Sequence, residues 1–360
     1  MTPSNIAFLR LQRQHITAPD LTNPEDVVKW FGAVQAQDYL GALWAVGLRM
    51  KKSTEAVVED ALARRTIIRT WPMRGTLHFV AAEDARWMLK LLTPRVVAAN
   101  LARIKRDYDL DDRVIGRSEK IIVRALEGNR QLSRDGVYDL LEKNKIAASG
   151  QRGLHILWRL AQHGVVCFAA RQGKQQTFAL LDEWIPPTRE LSREESLAEL
   201  ASRYFTSHGP ATIHDFAWWS GLPLTDSRLA YELIKTNFRE EKTDALSYIV
   251  PKKVPSIKRS SSTFLLPAFD EFSVAYADRT AMIDATKKTK LTAFQLLSPI
   301  VIINGSLAGT WKRILTKDSA ALEVKSFSTL TSTQKKAIEQ KANQYGKFLN
   351  VKISKVRFIR

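Results

Sequence analysis

A single cysteine, Cys167, in 360 residues excludes an internal disulfide and any zinc site built from several thiolates. Its neighbours Val165, Val166 and Phe168 are apolar, so it reads as a core thiol rather than a nucleophile. The six histidines (His15, His78, His155, His163, His208 and His214) form no HExxH and have no acid at ligand spacing. No metal site and no cofactor are expected. A P-loop, a GxGxxG fingerprint and a Gly-x-Ser-x-Gly nucleophile elbow are also missing, which removes the usual enzyme signatures. No apolar run approaches the roughly 18–20 residues of a membrane span. The opening Met1-Thr2-Pro3-Ser4-Asn5 lacks the basic flank and apolar core of a secretory signal. These absences predict a cytoplasmic protein without membrane association.

Acids are scarce too: 37 Asp and Glu face 55 Lys and Arg, for a net charge of +18. The excess is uneven, because residues 241–360 hold 21 Lys and Arg against 9 Asp and Glu. Such a balance predicts a polyanionic partner, nucleic acid first, since each neutralised phosphate releases counterions. The length leaves room for two or more domains of about 100–200 residues each.

Apolar spacing supplies the element order. Ile6, Phe8, Leu9 and Leu11, then Val27, Val28, Phe31 and Val34, then Val57, Val58, Ala61 and Leu62 follow helical periods. Strands are expected at 67–71 and 76–80 around the turn Pro72-Met73-Arg74-Gly75, and a long helix at 82–100. Three helices and a hairpin is the order of a winged helix. It recurs as helices 112–127, 133–144 and 153–163 with strands 165–170 and 175–181. A third copy runs through helices 195–208, 213–220 and 225–237 with a weak hairpin near 238–250. After a Pro-, Ser- and Lys-rich linker, strands at 264–267, 300–303, 306–315 and 321–327, a helix at 331–349 and a strand at 351–359 follow.

The predicted class is therefore α+β: three tandem winged-helix motifs followed by a C-terminal β-barrel-like domain. The bounds are 1–110 (with a long connecting helix), 111–190 and 191–250 for the winged helices, 251–262 for the linker and 263–360 for the last domain.

The helix launched by Asn23-Pro24-Glu25-Asp26 leads to Gln35 and Gln37. Positions two apart on a helix point about 200° from each other. Two glutamines aimed at one cleft thus require the helix to end there, with Gln37 in the following loop. On composition alone they are two polar residues closing a helix. Arg69, Arg74 and His78 alternate with Trp71, Met73 and Leu77, a pattern that a half-buried strand explains as well as a binding surface does. Arg171-Gln172-Gly173-Lys174 is a basic hairpin tip suited to a phosphate backbone. Phe216-Ala217-Trp218-Trp219 reads as core or as a platform for bases. Thr310-Trp311-Lys312-Arg313 sets two cations beside a hairpin.

Several of these stretches together resemble one family. They are Gln35-Ala36-Gln37, Arg69 to His78, Gly209-Pro210-Ala211-Thr212 with Asp215 to Leu222, Leu266 to Phe272, and Gly309-Thr310-Trp311-Lys312-Arg313, in order along nearly the whole chain. The resemblance is to the AlkZ-like bacterial DNA glycosylases. It implies three winged helices and a β-barrel forming a C-shaped cleft around duplex DNA, and hydrolysis of the N-glycosidic bond of alkylated purines to leave an abasic site. It also implies a catalytic Gln-x-Gln, matched by Gln35 and Gln37; Asp38 falls one position too late for the family's alternative Gln-x-Asp. Bulky N7-guanine lesions, some of them interstrand crosslinks, are the implied substrates.

The chemistry is coherent with that motif. Glutamine has no titratable group near neutrality, but it can hold a water by donating and accepting hydrogen bonds. An N7-alkylated guanine already carries positive charge and leaves as a neutral base. The sugar passes through an oxocarbenium-like state that amide carbonyls can stabilise. Arg69, Arg74, Arg171, Lys174, Lys312 and Arg313 are the expected DNA contacts, mostly to phosphates. The expected partner is double-stranded DNA bearing alkylated purines, met by a monomer. A winged-helix regulator without catalysis fits the charge and helices as well, although a regulator normally needs a dimer on two half-sites. A catalytically silent damage sensor is the other rival.

Overall fold

The free amide donors at the start of α1 (Pro3–Arg13) are met by Thr2, whose hydroxyl accepts from Asn5 N. This computed structural model describes residues 1–243, 246–253, 261–283, 292, 295, 297–316 and 318–359. The chain divides into one unit of Met1–Glu59 with Leu197–Arg360 and another of Asp60–Ser196. Helix α2 (Pro24–Phe31) starts as expected, with Asn23 at the N-cap, Pro24 at the first turn and Val27, Val28 and Phe31 buried. It stops earlier than the apolar spacing suggests. Gly32 takes φ +80°, and the chain straightens into β1 (Val34–Gln35). Val34 is therefore a strand residue. Only the backbone freedom of a glycine allows that sharp exit.

Helix α3 (Tyr39–Gly47) has no counterpart in the sequence reading. Gly41 through Gly47 are all buried, so no polar face betrays a helical period. Helix α4 (Glu55–Ala63) follows and spans the boundary between the units.

In the second unit, β2 (Ile67–Met73) and β3 (Thr76–Ala81) pair antiparallel, Ile67 opposite Ala81 and Thr70 opposite His78. Arg74 and Gly75 make the reversal with φ of +54° and +70°. Helix α5 (Ala85–Tyr108) starts and ends later than expected and carries Pro94 inside it. Then come α6 (Asp112–Leu126), β4 (Leu132–Ser133), α7 (Arg134–Lys143), α8 (Gln151–Gln162), β5 (Val166–Phe168), β6 (Thr177–Leu180) and α9 (Leu181–Trp184). Ser133 begins α7 as expected, accepting from Gly136 N at 3.1 Å. Within the unit the strands run β3-β2-β5-β6-β4, with Arg69 opposite Phe168. The core gathers Ile122, Leu126, Val137, Leu141, Leu157 and Leu160 under that sheet. Cys167 is fully buried, and burial pushes its thiol pKa far up, as befits an inert core residue.

The first unit resumes with α10 (Arg193–His208), α11 (Ile213–Ser220) and α12 (Leu224–Ile234). Thr212 and Asp215 form a reciprocal capping box at α11. A hairpin of β7 (Phe238–Lys242) and β8 (Ser247–Pro251) follows. Residues 254–260 of the expected linker lie outside the described residues. Beyond it are β9 (Thr263–Leu266), α13 (Glu271–Val274), β10 (Ile300–Ile303), β11 (Ser306–Leu315), β12 (Ser319–Ser326), α14 (Ser332–Leu349) and β13 (Lys352–Ile359). Five of these strands form one sheet, β13-β12-β11-β10-β9, an open sheet with edges at β13 and β9. The last strand runs parallel to β12, which the intervening α14 makes possible.

Helix α3 is fastened to this sheet and to α14. Trp44 Nε1 donates to Leu265 O at 2.8 Å, and its ring lies 5.2 Å from Tyr345 and 5.1 Å from Phe348. A Cβ at Gly47 would come within 2.3 Å of Phe348, so only glycine admits that approach. These contacts fix the helix that follows the Gln35–Gln37 segment.

Candidate active site

The segment from Gly32 to Asp38 connects two buried helices and is held by charged partners from distant parts of its own unit. Gln35 is buried and Gln37 exposed. The backbone N–H of Gln35 donates to Glu271 Oε1 at 3.0 Å. The other oxygen of Glu271 accepts from Trp219 Nε1 at 2.9 Å and faces His208 Nε2 at 3.2 Å. A carboxylate can only accept, so His208 carries its proton on Nε2. All three side chains are buried: Glu271 is 1% exposed, and His208 and Trp219 not at all.

A second layer supports the first. Asp270 receives the Arg49 guanidinium through two bonds of 2.8 and 2.9 Å. Arg49 also donates to Ala45 O at 2.7 Å and Gln14 Oε1 at 3.2 Å, and it lies over the Phe31 ring. Gln14 Nε2 donates to the Tyr276 hydroxyl, which donates to His208 O. Buried polar groups joined in this way order one another, because each lost bond would leave a desolvated partner.

The exposed end of the segment is held by Asp38. Its carboxylate leaves the backbone at the start of α3 uncapped and takes Arg313 Nη2 at 3.0 and 3.2 Å instead. A Cβ on Gly41 would sit 2.7 Å from Asp38 Oδ2, so the glycine leaves room for that carboxylate. Gln35 and Gln37 are thus flanked by two anchors, Glu271 on the buried side and the Asp38–Arg313 pair on the other.

The remaining expected contacts fall into two groups. Lys312, exposed on β11, pairs with Glu323 across the sheet at 2.6 Å. Arg69, Arg74, Arg171 and Lys174 belong to the other unit. Arg69 is 7% exposed, its guanidinium 4.8 Å from the centre of the Phe168 ring, so it is an internal cation of its sheet. Arg74 occupies the left-handed turn and approaches His78 Nε2 at 3.5 Å. The tip between β5 and β6 exposes Lys174 and half-buries Arg171. In the aromatic run on α11, Phe216 and Trp219 are core, while Trp218 is half exposed with its Nε1 on Val274 O. Among the described residues no group of three or more His, Cys, Asp or Glu could hold a metal ion. No helix among them is long and apolar enough to cross a membrane.

The model of the AlkZ-like DNA glycosylases matches residues 28–348. The chain belongs to that family. A Streptomyces sahachiroi protein described as an interstrand DNA cross-link repair glycosylase is 23% identical, over 97% of each chain. The solved structure of Streptomyces sahachiroi DNA glycosylase AlkZ superposes with a TM-score of 0.79 at 22% identity, covering the whole of both chains. At that identity the superposition speaks for the fold. In this AlkZ-like chain, Glu271, His208, Asp270 with Arg49, and Asp38 are the residues that sequence reasoning gave no role. Asp270-Glu271 stood inside a recognised stretch, but no spacing connects residue 271 to residue 35.

Burial among aromatic rings holds the His208 imidazole below its usual pKa of 6.5, with the Glu271 bond pulling the other way. Partial desolvation lowers His15 and His155 as well, and the exposed His163 is lowered by partial desolvation and by Arg159 beside it. For a group lowered in the native state, the unfolded chain binds the proton first as pH drops. The stability contributed is therefore whole above 6.5 and is lost as pH falls from there through the native pKa. Urea unfolding of this AlkZ-like protein at about pH 7.5 and about pH 5.5 should give the lower midpoint at the acidic pH. A midpoint that rises on acidification would contradict a buried neutral His208.

Proposed function

We propose that this chain is a DNA repair enzyme that hydrolyses the N-glycosidic bond of N7-alkylated purines, with Gln35 and Gln37 holding the attacking water. Bulky adducts and interstrand crosslinks are the substrate range, in line with the name of the Streptomyces sahachiroi relative. The observation that carries the reading is the fixed Gln35–Gln37 segment in a chain of this family. Its backbone is pinned by Glu271 and its exit by Asp38–Arg313, leaving Gln37 exposed. Two amides can orient a water and face a developing cation without needing a titratable base. The reaction releases the base and leaves an abasic site with no lyase step.

The orders α6-β4-α7-α8-β5-β6 and α10-α11-α12-β7-β8 support the winged-helix reading; in the first copy the three expected helices are α1, α2 and α4, with α3 as an extra helix before β2 and β3. On this reading the winged helices occupy 1–110, 111–190 and 191–250, and the sheet and helix of 263–360 form the barrel-like domain. The protein works as a cytoplasmic monomer on duplex DNA. Arg69, Arg74, Arg171, Lys174, Lys312 and Arg313 are its contacts, the exposed ones meeting phosphates.

The test is incubation with duplex DNA carrying one N7-methylguanine, and separately one interstrand N7 crosslink, followed by alkaline strand cleavage. Base release or unhooking is expected from the wild type and not from the Gln35→Ala, Gln37→Ala double variant. If both lesions survive the wild type while DNA is bound, a non-catalytic role replaces this one.

A further inference from the structure

The unit Asp60–Ser196 contains a cavity of about 450 Å³ between its two hairpins and the start of α7, within the size range of small-ligand pockets. Its floor is aromatic. Trp71, Phe168 and Phe178 line it, with ring centres 5.0 Å apart for the first pair and 4.5 Å for the second. The Arg69 guanidinium lies over Phe168, 4.8 Å from the ring centre. The wall is polar and uncharged: the amides of Gln175 and Gln176 and the hydroxyl side of Ser133. The mouth is cationic, with Lys174 and Arg134 both exposed and Asp135, a loose surface partner of Arg134 at 3.8 Å, the single acid of the lining.

An aromatic floor, here of rings tilted 39° and 36° to one another, a wall of donors and acceptors and a cationic mouth are the three surfaces that a nucleotide needs. Planar bases lie on aromatic rings and guanidinium planes, their edges hydrogen-bond to amides, and the phosphate remains with the cations at the rim. We propose that this cavity receives a single nucleotide displaced from a DNA strand, its base against the exposed edges of Trp71 and Phe168, which Phe178 backs from the core, and its phosphate between Lys174 and Arg134. The inference rests on the reading of this chain as a DNA-binding protein, since Arg69 and Lys174 are among its assigned contacts. It is a site separate from the Gln35–Gln37 segment: none of its lining residues belongs to that segment. A nucleotide pushed out beside a bulky lesion or crosslink is a natural occupant.

The experiment compares binding of the full chain to a paired duplex and to the same duplex with one extra unpaired thymidine. The bulged duplex should bind about tenfold tighter, the value of one modest base-stacking contact. Leu154→Trp, which fills the cavity from α8, should bring the ratio of the two affinities to about one; Gln176→Trp does the same from the opposite wall if the first variant folds poorly. Thymidine monophosphate should not displace the bulged duplex. Equal wild-type affinities, a preference that persists in both filled variants, or displacement by the free nucleotide would each overturn the inference. Equal affinities leave the DNA-binding reading standing, whereas loss of binding to both duplexes removes that reading too.

Discussion

Asp270→Ala should cost about 3–5 kcal/mol of folding stability, the penalty for leaving a buried charge without its partner. Arg49 is 1% exposed and Asp270 equally buried. Removing the carboxylate strips two short charge-assisted bonds and leaves Arg49, among the described residues, with the acceptors Ala45 O and Gln14 Oε1. Domains of ordinary stability hold about 5–15 kcal/mol in total, so the loss is a large fraction of the whole. With a urea slope of about 1–3 kcal/mol per molar, the unfolding midpoint should drop by 1 M or more. Asp270→Asn keeps an acceptor but no charge and should fall between. A paired replacement, Arg49→Met with Asp270→Leu, should recover much of the loss, because the remaining layer would no longer contain an unpaired ion. An unchanged midpoint in Asp270→Ala would mean that the pair is solvated in solution.

The larger effect on catalysis is expected at Glu271, which touches no reacting atom. Glu271→Gln keeps the volume but turns one of two acceptor oxygens into a donor. That donor would meet Trp219 Nε1–H and His208 Nε2–H, two donors already aimed at it. Each hydrogen bond to a charged group is worth about 1.5–3 kcal/mol, so the side chain must turn and one partner must be abandoned. Turning keeps the Trp219 and His208 donors bonded and sets the new NH2 against the Gln35 N–H, which frees the backbone that Oε1 now holds at 3.0 Å. If the glutamines position the water, a shift of about 1 Å should lower the single-turnover excision rate about 10²-fold. DNA affinity, set by phosphate contacts, should change little. Measured well below the unfolding temperature, a rate equal to wild type would show that Gln35 does not need this anchor.

The comparison with the sequence is instructive where the two part. Strand β11 and helix α11 fall on the residues that their spacing indicates, because each has one buried and one solvated side, whereas β10, buried throughout, is marked by its unbroken apolar run before Asn304-Gly305. Helix α3 was invisible for the opposite reason: buried on all sides, it has no polar stripe to mark its turns. Helix α2 ends three residues before its apolar period does, because Val34 continues that period by chance while Gly32 breaks the backbone before it. The glutamine pair itself was legible as a motif. Its supports were not, since a hydrogen bond from residue 35 to residue 271 leaves no mark on local spacing. Arg313 was legible as a cation but not as the partner of Asp38, 275 positions away.

The division of the chain also bears on how the protein is made. Residues 1–59 share a unit with Leu197–Arg360, and the whole of Asp60–Ser196 is synthesised between them. At about 5–20 residues per second, the ribosome needs roughly 10–50 s to progress from Gln35 to Glu271. Throughout that interval the apolar α3 segment has emerged while its sheet does not yet exist. The intervening unit can complete its own core first, so the apolar side chains of α3 stay without their native partners until the last third of the chain arrives. The Gln35 anchor is consequently among the last features of the molecule to form.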